Sequence, residues 1–204
     1  MLGFYVKAVF ADNEGLKSYE GEPMRTKALL GVLSSILFLT LFSSAQMQGD
    51  KTKRASPPEQ AVCKFNDSKT VTVNYSSPRM KGRQIYGGLV PYGKVWRTGA
   101  NEATSFVTDA DLTIGGVNVP AGKYTMYTLP GQNDWKLIIN KQTGQWGTEY
   151  DEKQDLARIE MKTEPLVSPT ENFTIGFDLQ GANDCRMRLE WERTRAYVDI
   201  KEKQ

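Results

Sequence analysis

The sequence contains no histidine. Histidine is the commonest general base near neutral pH and the commonest metal ligand, and every Ser-His or Cys-His nucleophilic site depends on it. The chain has only two cysteines, too few for the four sulfur or nitrogen ligands of a structural zinc site. Any chemistry must therefore rely on carboxylates, amines, guanidinium groups and hydroxyls. We expect neither a cofactor nor a metal, and whether the protein is an enzyme stays open.

The chain also lacks a strong excess of charge of either sign. Its 26 Lys and Arg residues face 24 Asp and Glu residues, which leaves a formal net charge of +2. Proteins that bind nucleic acids usually cluster basic residues to displace counterions from phosphates, whereas the two signs are interleaved here. We therefore expect no nucleic-acid partner.

No apolar run is long enough to span a membrane comfortably. The longest covers residues 28–42; Arg25 and Lys27 precede it, and the small residues of Ser43-Ser44-Ala45 follow it. This arrangement is typical of a secretory signal peptide, here predicted over residues 24–45. A buried helix or an uncleaved anchor is the alternative interpretation.

A signal peptide stands at the true N-terminus of a precursor. We therefore predict that translation starts at Met24 and that residues 1–23 are a start-site extension. The mature chain would begin at Gln46 and be exported to the periplasm or the cell exterior, with no membrane attachment after cleavage. Residues 46–60 are polar and contain two prolines, so they are predicted to form a flexible leader.

From residue 61 onward, short segments alternate between apolar and polar residues, the pattern of half-buried strands. Turn signals such as Gly115-Gly116 and Pro120-Ala121-Gly122 separate them. The pattern predicts one all-β domain over residues 61–204, an antiparallel β-sandwich or partly closed barrel of about nine or ten short strands. The predicted strands are residues 71–75, 104–108, 111–114, 117–119, 123–129, 135–139, 157–161, 173–179, 185–191 and 198–200.

The two cysteines, Cys63 and Cys185, both fall on predicted inward-facing strand positions. In an exported protein such a pair is typical of a disulfide, and closing so long a loop would contribute on the order of 4 kcal/mol. Two separate buried thiols remain the alternative, because free cysteine packs as a small apolar residue.

One stretch, residues 89–104, has a composition that hydrophobic patterning does not explain. It reads LVPYGKVWRTGANEAT and combines aromatic, cationic, amide and carboxylate groups with two glycines and a proline. A second aromatic loop contains Gln145-Trp146-Gly147. Loops of this kind commonly carry binding sites on rigid scaffolds. The candidate ligand-binding residues are Lys94, Trp96, Arg97, Asn101, Glu102 and Trp146.

The same segments carry a family resemblance. Residues 69–200, and most specifically the WRTGANE run at 96–102, resemble the domain-of-unknown-function family 2911. The resemblance implies an exported bacterial protein with a β-sandwich-like domain. The family has no established activity, so the resemblance bears on fold and export more than on function.

The candidates also have structural interpretations. Arg97 and Glu102 can pair with each other or brace the sheet. Asn101 can cap a turn, and Trp96 can belong to the core. The nearby Lys81-Gly82-Arg83 can supply cations to the same site or form a solvated turn.

Three functions follow from these residues. The leading hypothesis is a binding module for a small polar or carbohydrate-like ligand. The second is a histidine-independent hydrolase with Glu102 as acid or base, which requires a carboxylate of raised pKa. The third is an envelope protein-interaction domain that docks its partner through an aromatic and arginine cluster.

Overall fold

The computed structural model describes residues 50–203. The predicted N-terminal extension and signal peptide lie outside this range. Within that range the protein is all-β, apart from two short 3-10 turns at Lys51–Lys53 and Glu152–Gln154. No helix in the same range is both long and apolar enough to cross a membrane. The nine strands are β1 (Pro58–Lys64), β2 (Thr70–Ser76), β3 (Thr104–Thr108), β4 (Leu112–Ile114), β5 (Val117–Val119), β6 (Gly122–Pro130), β7 (Trp135–Asn140), β8 (Asp155–Leu179) and β9 (Asp184–Glu202).

The strands form an antiparallel sheet in the order β1-β2-β3-β6-β7-β8-β9-β4-β5, which confirms the predicted all-β antiparallel fold. β8 belongs to both halves of this sheet: its first residues pair with β7 and the rest pair with β9. The sheet also folds back on itself. In a flat sheet, β1 and β9 would lie roughly 29 Å apart at about 4.8 Å per strand, whereas the Cα atoms of Cys63 and Cys185 are 6.6 Å apart.

Cys63 in β1 and Cys185 in β9 form a disulfide, so the alternative of two separate thiols is wrong. Two buried hydroxyls strengthen the same closure. The Tyr75 hydroxyl accepts a hydrogen bond from Ile175 N at 3.1 Å, and Ser77 Oγ donates to Phe173 O at 2.6 Å. Together these contacts join the β1-β2 end of the sheet to β8 and β9.

The alternating residues of the predicted strands form the core. In β2, Val71, Val73 and Tyr75 are buried, and Phe106 in β3 is fully buried. Each side chain of this kind contributes roughly 1.5–3 kcal/mol when it leaves water. The predicted hairpin at Gly115-Gly116 is also present, with φ values of 53° and 89° that favour glycine at both positions.

Two predictions about strand length were wrong. Residues 157–161 and 173–179 belong to the single strand β8, and residues 185–191 and 198–200 belong to β9. The alternation stops between the two parts of β8 because that stretch is exposed, with Val167 97% exposed. Backbone pairing with β9 continues there through bulges, which leave no hydrophobic signal in the sequence.

The start of the domain also differs from the prediction. β1 begins at Pro58, inside the predicted leader. Pro58, Glu59 and Gln60 are all exposed, so no apolar alternation marks them as strand, although they pair with β2.

Candidate functional site

The loop of residues 96–104 is fastened to the sheet by backbone pairing. Trp96 N donates to Thr128 O at 2.8 Å, and Thr128 N donates to Trp96 O at 2.9 Å. Ala100 N donates to Ser76 O at 3.0 Å. These bonds hold the loop against β6 and the end of β2.

The inside of this loop leaves little room for movement. Thr98 is fully buried, and its hydroxyl lies 3.1 Å from Thr128 Oγ1, while Thr104 Oγ1 donates to Thr98 O at 2.9 Å. A Cβ atom on Gly99 would lie 3.0 Å from Ser76 O and 3.1 Å from Thr104 Oγ1. Only glycine fits there without displacing a neighbour, so the loop forms a rigid platform.

Trp96 faces the core. Its ring centroid lies 4.9 Å from that of Phe173 in an edge-on contact and 5.8 Å from that of Trp191 in a stacked one. The indole therefore packs inside the domain, as its structural interpretation proposed. Lys94, two residues earlier, is exposed, and no hydrogen bond or ion pair joins it to another described residue.

Glu102 does not pair with Arg97. Arg54 Nη1 lies 2.9 Å from both carboxylate oxygens of Glu102, and Lys51 Nζ lies 3.2 Å from Oε1. The hydrogen bond from Arg54, supported by Lys51, lowers the pKa of Glu102 to about 2. Asn101, with φ 60°, donates to Ser56 O at 3.1 Å. Glu102 and Asn101 thus fasten residues 51–56 to the platform.

The second aromatic loop runs beside the first. Glu102 and Trp146 form an antiparallel bridge, and Gly147 N donates to Asn101 O at 3.2 Å. A Cβ atom on Gly147 would overlap Arg97 Cδ and lie 2.7 Å from Asn101 O. Because residue 147 has no side chain, the stem of Arg97 can lie across it.

In these two loops the Trp146 indole and the Arg97 guanidinium remain available to a ligand. Trp146 is 47% exposed. Among the described residues, the Arg97 guanidinium has no hydrogen-bond or ion-pair partner. We call Arg97, Trp146 and the Gly147 backbone between them the Arg97–Trp146 surface.

A second candidate lies elsewhere, in a cavity of about 480 Å³. A neighbouring cavity of about 200 Å³ shares Arg193 with it as a lining residue. Neither cavity is lined by any of the six predicted ligand-binding residues, and Arg83 of the Lys81-Gly82-Arg83 motif lines the larger one. We call this larger cavity the arginine groove; it is lined by Met80, Gly82, Arg83, Gln84, Pro169, Glu192 and Arg193.

A family model matches residues 56–200, under the description "Protein of unknown function (DUF2911)". The chain belongs to this family. The match confirms the resemblance carried by the WRTGANE run, and in this DUF2911 chain it spans both the Arg97–Trp146 surface and the arginine groove. No curated protein and no solved structure matches the chain.

In this DUF2911 domain the second aromatic loop is held firmly. Gln145, 9% exposed, donates to Thr125 Oγ1 at 3.2 Å and to the Tyr127 hydroxyl at 3.0 Å. Tyr150 donates to Asp155 Oδ2 at 2.6 Å and accepts from Arg158 Nη2 at 2.9 Å. Burial, together with the hydrogen bond to Asp155, raises the pKa of Tyr150 to about 12, so its hydroxyl stays protonated.

Three other carboxylates, those of Asp109, Asp111 and Asp151, lie in turns. Asp109 accepts from Thr70 Oγ1 at 2.8 Å, and Asp111 accepts from Ala121 N at 2.7 Å. Asp151 accepts from Lys153 N at 3.0 Å and caps a 3-10 turn. Across residues 50–203, no group of three or more potential metal ligands comes together.

Proposed function

We propose that the domain is an exported binding module for a small polar or carbohydrate-like ligand, held at the Arg97–Trp146 surface. One observation carries this proposal: the half-exposed Trp146 directly precedes Gly147, over which the stem of Arg97 lies, and the Arg97 guanidinium has no partner among the described residues. An indole face packs against the C–H face of a sugar ring, and a guanidinium offers five donors to hydroxyl or carboxylate oxygens.

Rigidity supports the same proposal. Residues 96–104 and the Gln145-Trp146-Gly147 loop are joined to the sheet and to each other by hydrogen bonds. A surface that is already fixed loses little conformational entropy when a ligand binds.

The hydrolase alternative has less support. It needs a carboxylate whose pKa is raised, so that the group carries a proton near neutral pH. The ion pair with Arg54 lowers the pKa of Glu102 instead. A carboxylate that stays ionised suits a structural tie or an acceptor of hydrogen bonds better than a general acid.

Export is part of the proposal. The predicted signal peptide supports it, and so does the Cys63–Cys185 disulfide, since such bonds persist mainly in oxidising compartments. Intact-mass measurement of the protein from the native cell tests it. A mature chain that begins at Gln46 is expected, and a chain that retains residues 24–45 would contradict export by cleavage.

The binding proposal is tested by calorimetric titration with a panel of neutral and acidic mono- and disaccharides. A saccharide that binds the wild type should bind Arg97→Ala and Trp146→Ala at least tenfold more weakly, a loss of about 1.4 kcal/mol. Trp146→Phe, which keeps an aromatic face, should retain most of the affinity. Tyr92→Ala is the matched control, because it removes a 40% exposed ring that lies outside this surface.

Two results would contradict the proposal. One is saccharide binding that is equal in the wild type, Arg97→Ala and Trp146→Ala. The other is the absence of saccharide binding together with capture of an envelope protein that depends on Trp146, which would favour the interaction-domain alternative.

A further inference from the structure

Arg83 and Arg193 differ from most other arginines of the domain. Among the described residues, five arginines form ion pairs with carboxylates: Arg54, Arg158, Arg186, Arg188 and Arg195. Arg83 and Arg193 instead donate to backbone carbonyls and have no carboxylate partner in residues 50–203. A carbonyl orients a guanidinium without neutralising its charge.

Arg83 is held by the turn that precedes it. Lys81 and Gly82 have φ values of 49° and 68°, and this turn lets Arg83 reach back along the chain. Its Nε donates to Met80 O at 3.0 Å, and its Nη2 donates to Arg79 O at 2.6 Å. The two N–H groups on Nη1 have no acceptor among the described residues.

Arg193 is held by the bulge in β8. Pro165 pairs with Thr194 and Thr170 pairs with Glu192, so residues 166–169 lie opposite Arg193 alone. Arg193 Nη1 donates to Val167 O at 3.3 Å. The other N–H groups of the Arg193 guanidinium have no acceptor among the described residues and can donate to a ligand.

Both arginines line the arginine groove, whose volume of about 480 Å³ falls in the range of ligand sites. Glu192 lines it too, and its Oε2 accepts a weak hydrogen bond from Tyr86 N at 3.5 Å. Two arginines and one glutamate leave a single positive charge without a counterpart in the groove lining. One negative charge on a ligand would balance it.

The neighbouring cavity supplies aromatic residues. Arg193 lines both cavities, and Tyr86, Tyr92 and Trp135 line the smaller one together with polar residues. The carboxylate among these, Glu164, is paired with Arg195. We propose that the arginine groove binds a small aromatic carboxylate, with the carboxylate between Arg83 and Arg193 and the ring in the cavity beside Tyr92. Planar guanidinium forks match a carboxylate well, and an aromatic ring packs favourably against other rings.

The test titrates the full chain calorimetrically with three probes: phenylacetate, its neutral analogue phenylacetamide, and inorganic phosphate. Phenylacetate should bind at least tenfold more tightly than either of the others, because only it combines the charge with the ring. Arg83→Gln and Arg193→Gln should each weaken phenylacetate binding roughly tenfold or more. Arg186→Gln is the matched control: it removes an arginine from the same strand as Arg193, outside the groove.

Nitrogen-detected NMR of the wild-type arginine side chains gives a measurement that does not depend on the stability of a variant. Phenylacetate should shift the Nε signals of Arg83 and Arg193 and leave that of Arg97 in place. Arg97→Ala should bind phenylacetate as the wild type does, which separates this site from the Arg97–Trp146 surface. Equal binding of phenylacetamide or phosphate, unchanged affinity in both groove variants, or unshifted Arg83 and Arg193 signals would overturn the proposal.

Discussion

Arg97 belongs to the loop of residues 96–104 and Arg54 reaches it from outside, but of the two only Arg54 has a carboxylate partner among the described residues. It reaches both oxygens of Glu102, whereas Arg97 lies along Gly147 with its guanidinium unpaired. The first arrangement fixes the N-terminal segment of the domain. The second leaves a cation without a partner among the described residues, which we propose is available to a ligand.

The Arg54–Glu102 ion pair makes the free energy of unfolding depend on pH in the acidic range. The pKa of Glu102 is about 2 in the folded protein against an ordinary value of 4.5, so the stabilisation is complete above pH 4.5 and is lost as the pH falls toward 2. The Glu102 side chain is 39% exposed, and we expect about 1 kcal/mol or less. In Arg54→Ala, an NMR titration should find the Glu102 pKa raised toward 4.5. An unchanged pKa in that variant would mean that Arg54 does not hold the carboxylate.

Gly147→Ala tests the packing of Arg97. The added methyl group would overlap Arg97 Cδ and press on Asn101 O, so the side chain or the loop must move. Overpacking of this kind costs roughly 1–3 kcal/mol in the free energy of unfolding, which urea denaturation measures. Gly181→Ala is the control, because the nearest atom to its added methyl group would be 3.6 Å away. Equal losses in the two variants would contradict the close contact.

At the scale of the strands, the sequence predicts those elements in which one face is buried. β3 was predicted with its observed bounds, because Thr104, Phe106 and Thr108 are buried and alternate with more exposed residues. The middle of β8 and the start of β1 were missed, because both are largely exposed and their pairing buries no alternating apolar face. Hydrophobic periodicity reports burial and not hydrogen bonding, so such strands leave no signal.

The disulfide between β1 and β9 is the covalent part of the sheet closure. It joins residues 122 positions apart, and removing a cross-link of that span should cost roughly 2–5 kcal/mol. The Cys63→Ala, Cys185→Ala double variant should therefore unfold at a lower urea concentration than the oxidised wild type. Reductant should lower the wild-type midpoint and leave that of the double variant unchanged. Coincident midpoints for the oxidised wild type and the double variant would contradict the prediction.

For the whole molecule, the sequence predicted the fold and the family but only part of the candidate site. The platform loop was located from its composition, yet Glu102 is held by Arg54, 48 residues earlier, a partner that no local spacing indicates. The arginine groove was missed because it forms only when the segment after β2 meets the bulge of β8. Contacts of that kind depend on how the sheet closes, which strand patterning alone does not specify.

We propose that Arg97 serves ligand binding and not folding. Thermal unfolding of Arg97→Ala beside the wild type tests this claim, with Arg54→Ala as the structural comparison. We expect Arg97→Ala to melt within about 2 °C of the wild type, because the half-buried Arg97 has no hydrogen-bond or ion-pair partner to lose among the described residues. Arg54→Ala should melt roughly 2–4 °C lower, the shift expected for about 1 kcal/mol in a domain of this size. A melting temperature for Arg97→Ala more than about 5 °C below that of the wild type would show that Arg97 is a structural tie and would contradict the claim.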